Sequence, residues 1–314
     1  MSSGVVAPAR AVCVVRDPAL RRALQRSLCG NGARVEFRES LDEGPLASDA
    51  IVFLDHRTRT GFELAALTRR LDERGRIVVL GGSLDDGELV ALLRERALDH
   101  VIADPTTPDE HELAVTSAKL HSGDIFGLEK YLAWGVTVAE VEVSTYQDKC
   151  AALDELGRAA EWLGARKRLV NRVQSTADEL LMNALYDAPA AVGMRSPVAA
   201  ASQRLDVPPS PSALLRYGCD GRYMALSVLD RFGALDKRAV LDAVLRARAE
   251  LGRPRAQGGA GAGLGIYFVL SSVTRFIVNV QPGRLTEVVC LFDVRERGRD
   301  ATAWARSLHV FTAA

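Results

Sequence analysis

Over about the first 120 residues, short apolar runs alternate with longer amphipathic stretches. That rhythm predicts strands and helices taking turns in a doubly wound sheet. The apolar runs predict strands at Ala11–Val15, Arg34–Phe37, Ala50–Leu54, Arg76–Leu80 and His100–Ala103. The stretches between them predict helices at Pro18–Leu28, Gly61–Arg74, Asp86–Ala97 and Asp109–His121. Asp17 before Pro18 is a good helix start, because aspartate caps free N–H groups and proline fits the first turn. The crossover around Glu39–Ser48 carries no clear pattern.

The rhythm then changes. Ser122–Gly135 reads SGDIFGLEKYLAWG, whose aromatic and apolar residues suit a packed connector better than a flexible linker. Val136–Val143 alternates like a strand, and Gln147–Leu163 and Val170–Tyr186 read as long helices. Ala188–Ser212, rich in Ala, Pro and Ser, reads as a loop. Leu214–Tyr217 and Tyr223–Leu229 form a hairpin pattern around Cys219-Asp220-Gly221. A charged helical stretch, Asp236–Leu251, leads to a glycine cluster and an apolar helix at Leu264–Val273. Arg275–Val280 and Leu285–Val294 make a second hairpin pattern around Gln281-Pro282-Gly283. The expected organisation is a tail at 1–8, an α/β domain at 9–122, a connector at 123–135, an α+β domain at 136–296 and a C-terminal tail at 297–314.

Composition supports two domains and narrows the partners. The chain has 314 residues, 48% hydrophobic and 25% charged, enough apolar material for two cores. Its 40 basic and 40 acidic residues cancel, so charge gives no reason to expect nucleic acid or an anionic membrane as main partner. No stretch approaches the ~20 apolar residues that span a bilayer, and the start lacks the basic-then-apolar layout of a signal peptide. A cytoplasmic protein is expected. Cys13, Cys29, Cys150, Cys219 and Cys290 are scattered, with no Cys-x-x-Cys pair, and read as reduced thiols.

Two features carry candidate chemistry. The first is the run Gly258-Gly-Ala-Gly-Ala-Gly-Leu-Gly265. Gly259, Gly261, Gly263 and Gly265 let the backbone approach a ligand closely, and the helix beginning at Leu264 offers free N–H groups and a positive dipole end, a cradle for phosphate. A Walker loop would end in Gly-Lys-Ser/Thr and a dinucleotide fingerprint would follow a strand; neither applies. A flexible glycine linker is the competing reading. The second is Glu179, Asn183 and Asp187, four apart and so on one helix face. Asparagine offers an oxygen ligand suited to Mg²⁺, and a carboxylate one turn away could orient or deprotonate a hydroxyl. Taken alone, an ordinary solvated helix face is the better explanation of them.

Read together, these pieces resemble the GHKL superfamily of ATP-binding domains. DELLMNAL (Asp178–Leu185) looks like its N box and GAGAGLGI (Gly259–Ile266) like its second glycine box. VLDRFGAL (Val228–Leu235) looks like the first glycine box, and LTEVV (Leu285–Val289) like the late strand beside the adenine. They occur in family order within a domain of about 160 residues. The resemblance implies ATP and Mg²⁺ as cofactors. Asn183 would bind Mg²⁺, and Glu179 would be the general base. Asp230 would accept from the adenine amino group, with Gly233 giving the close turn beside it and Thr286 supporting the ring. Gly261, Gly263 and Gly265 would cradle the phosphates, and 236–257 would form the lid. One departure is that Leu235 stands where the first glycine box has a glycine.

The first domain resembles a response-regulator receiver, a flavodoxin-like parallel sheet. Asp55 in VFLDH matches the phosphoacceptor, Asp17 one of the acidic pair and Ser83 the switch hydroxyl. Arg16 stands in place of a second acid, and VIADP has no lysine before Pro105, so a phosphoryl group on Asp55 would lack a charge partner. A degenerate receiver used for binding is therefore expected. His111-Glu112-Leu113 is similar to a histidine-kinase phosphorylation box but lies on the last helix of this domain and reads as a solvated face. His56, His100, His121 and His309 form no motif, and Arg166-Lys167-Arg168 reads as a solvated helix face.

The expected function is that of a bacterial-type signalling protein that binds Mg-ATP and phosphorylates a protein partner on serine or threonine. It is closest in style to anti-sigma-factor serine kinases, with an anti-anti-sigma-like or sigma-factor-like partner. The resemblance also allows a homodimer. The alternatives are an ATP-dependent sequestering module without catalysis, and a histidine kinase acting with a separate phosphotransfer partner.

Overall fold

The structure is a computed structural model that describes residues 9–47, 49–58, 76–82, 87–94, 98–102, 109–194, 212–242, 245, 264–295 and 305–313. It is mixed α/β and divides into two compact units, 1–125 with 306–309, and 126–305 with 310–314. Among the described residues no helix is long and apolar enough to cross a membrane.

In the first unit, strands β1 (Arg10–Val14), β2 (Arg34–Arg38), β3 (Ile51–Asp55), β4 (Ile77–Leu80) and β5 (His100–Ile102) lie in the order β2-β1-β3-β4-β5, with neighbours parallel. The inner strands β3 (IVFLD) and β4 (IVVL) are buried at every position, as expected where both faces are covered. The edge strand β2 is only partly buried. Helix α1 (Pro18–Gly30) starts as its sequence dictates: Asp17 accepts from the Leu20 amide at 2.8 Å and Pro18 sits in the first turn. Helices α2 (Gly87–Arg94) and α3 (Glu110–Ser122) follow. Asp109 caps α3 by accepting from His111 and Glu112, and Gly123 closes it with φ 72°. Leu20, Leu24 and Leu28 of α1 pack with Phe53, Val78 and Leu113 in the core. The patternless crossover contains a 3₁₀ turn at Leu41–Glu43, fixed by a capping box between Ser40 and Glu43. The predicted helix Gly61–Arg74 lies outside the described residues.

The C-terminal tail holds a strand that its sequence did not suggest, β11 (Ser307–Thr312). In the first unit, Ser307, Leu308 and His309 pair antiparallel with Ile102, Val101 and His100 of β5. Phe311 is buried, while Trp304 lies outside the described residues.

The second unit opens with the connector, which is packed: Leu128, Tyr131 and Leu132 are buried around a 3₁₀ turn. Strands β6 (Ala139–Val143), β7 (Ala213–Cys219), β8 (Tyr223–Asp230), β9 (Arg275–Gln281) and β10 (Leu285–Asp293) form an antiparallel sheet in the order β9-β10-β8-β7-β6. Helices α4 (Tyr146–Trp162) and α5 (Lys167–Met182) form a hairpin, and α5 packs on β7, β8 and β10 through its apolar stripe of Val173, Ala177, Leu180 and Leu181. The helix expected to run through Tyr186 changes character at Asn183. Asn183–Asp187 is a π turn, in which the Ala188 amide reaches the Asn183 carbonyl. A short helix α6 (Ala188–Ala191) replaces the start of the expected loop, and 195–211 lie outside the described residues. Helix α7 (Leu264–Ser272) packs against α5.

Candidate functional site

Three elements of the second unit bear candidate site residues: the C-terminal end of α5 with its π turn, the start of α7, and the β8–β10 corner.

Glu179 lies in the last turn of α5. Its neighbour Asp178 is engaged elsewhere, in an ion pair with the buried Lys149. Glu179 is partly buried, and burial pushes its carboxyl above the usual range. Asp178 and Asp187 push in the same direction, and Lys149 opposes them. The carboxylate reaches the first turn of α7, where Oε2 lies so close to Gly265 that a Cβ there would collide with it. The second residue of α7 must therefore be small while Glu179 keeps this position. The positive end of the α7 dipole favours an anion here, so the glutamate sits where a phosphate would be welcome.

Asn183 begins the π turn, and that turn packs against β8. π turns interrupt the regular helical stagger and re-aim side chains, often at functional sites. Asp187, at its end, is raised above the usual carboxyl range by desolvation.

Asp230 is the last residue of β8 and is buried. It accepts from the Phe232 amide at 2.9 Å. Desolvation raises its carboxyl, and the amides of Phe232 and Gly233 and the hydroxyl of Thr286 pull it partly back. Thr286 of β10 is its register partner, so both side chains leave the same face of the sheet. The Thr286 hydroxyl is buried and lies near enough to Asp230 to favour its carboxylate, without a close hydrogen bond to any protein group. A buried hydroxyl left so is costly and calls for an explanation, such as a ligand or water that completes it. Gly233 has φ 59°, and a Cβ on it would come within 2.6 Å of the Gly283 amide. Its carbonyl accepts from that amide at 3.2 Å. Gly233 thus locks the end of β8 onto the β9–β10 turn, a packing reason for the glycine beside any role toward a ligand.

The structure therefore brings Glu179 to Gly265, and Asp230 to Thr286, and sets the Asn183–Asp187 turn on β8. Leu264 is the first residue of α7. Gly259, Gly261 and Gly263 lie outside the described residues, as does most of 236–257; within that stretch, 237–242 are helical.

Sequence reasoning missed other polar groups. Glu287, next to Thr286, is fully buried and accepts from the Gly127 amide and the Asn279 side chain, both at 2.9 Å. It thereby ties the connector to the sheet. In the first unit, two of the histidines that form no motif in sequence, His100 and His309, do meet in space. His309 Nε2 is 3.1 Å from Glu112 Oε1, and its Nδ1 is 3.4 Å from His100 Nδ1, all three residues being buried. They come from three distant segments, so no spacing could announce them. Among the described residues no group of three or more His, Cys, Asp or Glu is arranged to hold a metal ion.

Asp55, the receiver-like aspartate, is buried at the end of β3 and gripped by its own chain. Arg57 donates Nε to Oδ1 and NH2 to Oδ2, each at 3.0 Å, and its amide also donates to Oδ1. Asp17 serves as the α1 cap, and Arg16 pairs at the surface with Glu39. His111 is exposed. Ser83 and Pro105 lie outside the described residues.

Comparison with models of known protein families gave no match, and comparison with curated proteins gave none.

Proposed function

We propose that the second unit binds Mg-ATP in the manner of the GHKL superfamily, and that the protein is a signalling protein that phosphorylates a protein partner on serine or threonine. The observation that carries this reading is the register pair Asp230–Thr286: a buried carboxylate raised by desolvation beside a buried hydroxyl that makes no close hydrogen bond in the protein. Such a pair suits a flat ligand that presents a donor to Asp230 and an acceptor to Thr286, as the adenine edge does.

The residues present fit the nucleotide. Asp230 and Thr286 would hold the base, Asn183 would offer its side-chain oxygen to Mg²⁺, and the start of α7 at Leu264 and Gly265 would face the phosphates with Gly259, Gly261 and Gly263. When bound, Mg-ATP supplies a transferable phosphoryl group. Glu179 is the candidate base. Its raised carboxyl holds a proton more readily than an ordinary glutamate, which suits acceptance from a partner hydroxyl. The first unit would serve as a receiver-like binding domain, since Arg57 occupies both oxygens of Asp55.

Calorimetric titration with a non-hydrolysable ATP analogue, with and without Mg²⁺, tests the site. Mg²⁺-dependent binding that fails in Asp230→Asn and Asn183→Ala is expected. A folded protein that takes up no nucleotide would refute the reading. A second reading, an ATP-dependent sequestering module without catalysis, is favoured by Leu235 in place of a glycine and by the Asp55–Arg57 clasp. Radiolabel passing from γ-labelled ATP to candidate partners supports the kinase, and ATP-dependent capture of a partner without label transfer supports the module.

A further inference from the structure

In the first unit, β1 and β2 give one face to the core around α1, through Ala11, Cys13, Val35 and Phe37. On the opposite face, strand alternation sets Arg10 and Val12 of β1 beside Arg34, Glu36 and Arg38 of β2. A groove of about 270 Å³ opens on this face, with the buried Val12 and Ala50 as an apolar floor and Pro45 of the crossover along its side. Arg38 builds that side. It is buried, donates Nε to Glu36 at 2.6 Å, and donates its terminal nitrogens to the carbonyls of Gly44 at 3.0 Å and Pro45 at 3.2 Å. Arg10 and Arg34 are the first residues of their strands. The groove therefore lies at the opposite end of the sheet from Asp55, the last residue of β3.

Arg10 and Arg34 are register partners, so two cationic side chains leave the same face from backbones about 4.8 Å apart. Like charges set opposite one another destabilise a sheet. Elsewhere in this unit the chain answers its arginines with acids. Arg16 and Arg21 reach Glu39, Arg26 reaches Glu110, Arg38 reaches Glu36 and Arg57 reaches Asp55. The side chains of Arg10 and Arg34 are exposed and, among the described residues, meet no carboxylate, carbonyl or ring. Glu36, on the same face, is taken by Arg38. Two neighbouring guanidinium groups are thus left unanswered beside a preformed groove. A phosphate answers both at once, because each planar fork matches two of its oxygens. We infer that this groove binds a small phosphate monoester, its phosphate held between Arg10 and Arg34 and its body resting on Val12 and Ala50. Glu36 can accept from a hydroxyl of that body. The groove is smaller than the usual pocket for a drug-sized ligand, which restricts the body to a few atoms. Nucleic acid fits poorly, since the free cations here are two and the chain as a whole is neutral. The inference does not depend on nucleotide binding by the second unit.

The test uses the full chain, labelled with ¹⁵N in its arginines, and follows the Nε–H resonances of Arg10 and Arg34 by NMR. The probes are inorganic phosphate and glycerol 2-phosphate, with sodium chloride at matched ionic strength as the control. Both resonances are expected to shift together and to saturate with each phosphate but not with chloride, the ester binding more tightly than the free ion. Arg10→Gln and Arg34→Gln should each weaken binding about tenfold or more, while Asp230→Asn in the second unit leaves it unchanged. Both arginines are exposed, so the variants should fold, and circular dichroism melts check this. Shifts that follow chloride equally would mean screening only and would overturn the inference. So would two resonances that titrate separately, or saturation that survives in both arginine variants. A lipid source of the phosphate is checked with vesicles containing phosphatidic acid, and a nucleic-acid source with a single-stranded oligonucleotide. Tighter binding of either one than of the ester, lost in both arginine variants, would overturn the small-molecule assignment.

Discussion

Asp55 and Asp230 each end a buried strand, one in each unit, and each is an acid that the sequence marks for chemistry. Their surroundings are opposite. Asp55 has a guanidinium on both oxygens, supplied from two residues away. Asp230 has backbone amides at its turn, a desolvated and raised carboxyl, and a buried hydroxyl opposite that makes no close hydrogen bond in the protein. A polar group that the chain satisfies by itself contributes to stability and leaves little to offer a ligand. A polar group held short of partners costs stability, and that cost is recovered only when something binds. On the proposed reading, the contrast separates a carboxylate retained for structure from one kept for recognition.

The comparison breaks most visibly at the turn beside Asp230. Gly233→Ala places a Cβ against the backbone of the β9–β10 turn at positive φ, and a loss of roughly 2–4 kcal/mol in urea unfolding is expected. Gly32→Ala in the first unit, at φ 77° with nothing within 4 Å of the added carbon, should cost only about 1 kcal/mol. Equal losses would mean that the corner is not tightly built. Next in size, Asp230→Asn should weaken binding of the ATP analogue by roughly 100-fold, about 2.7 kcal/mol, while Asp55→Asn leaves it unchanged in the same titration. Arg57→Ala should cost about 1–2 kcal/mol, less than a fully buried pair because Arg57 is 41% exposed. With acetyl phosphate, mass spectrometry should find Asp55 unmodified in the unmutated protein; a phosphorylated Asp55 would mean that the clasp opens readily.

The smallest effect concerns Glu179. Its folded-state proton affinity is raised, so its contribution to stability is present below the unfolded value, about 4.3 for a glutamate, and is lost as pH rises through the folded value. Glu179→Gln removes the carboxyl that is strained at neutral pH. Thermal melts should therefore show the variant slightly more stable than the unmutated protein at pH 7, with the gain gone below about pH 4. A variant less stable at pH 7 would mean that Glu179 is well solvated or well paired.

How much of this was legible in the sequence depended on how local the cause was. The strands of the first unit fall almost where their apolar runs predicted, because strands buried on both faces are written as unbroken runs of Val, Ile and Leu. Asp17 and Pro18 announced α1, since capping depends on adjacent residues. The π turn at Asn183 was not anticipated, because NALYD taken by itself is compatible with an ordinary helix. The Asp55 clasp rests on Arg57 two residues away, yet its charge alone does not reveal which carboxylate it will grip. Glu287 and the His100–His309–Glu112 cluster depend on residues far apart in the chain, and β11 was hidden in a short segment with no neighbour to pair with in sequence. At the candidate site, the four-residue spacing from Glu179 to Asn183 could be read. The unmet hydroxyl of Thr286 could not, since it is a property of the folded corner.

The pairing of Ser307–His309 with β5 also sets a timetable. The ribosome makes β5 about two hundred residues before it makes the segment that covers its edge. At about 5–20 residues per second, that edge stays open for roughly 10–40 seconds of synthesis. During that interval the nascent first unit presents an unpaired row of amides and carbonyls, the kind of template on which a neighbouring chain can add a strand. Expression conditions that crowd ribosomes on one message should therefore raise the insoluble fraction, and slower initiation should lower it.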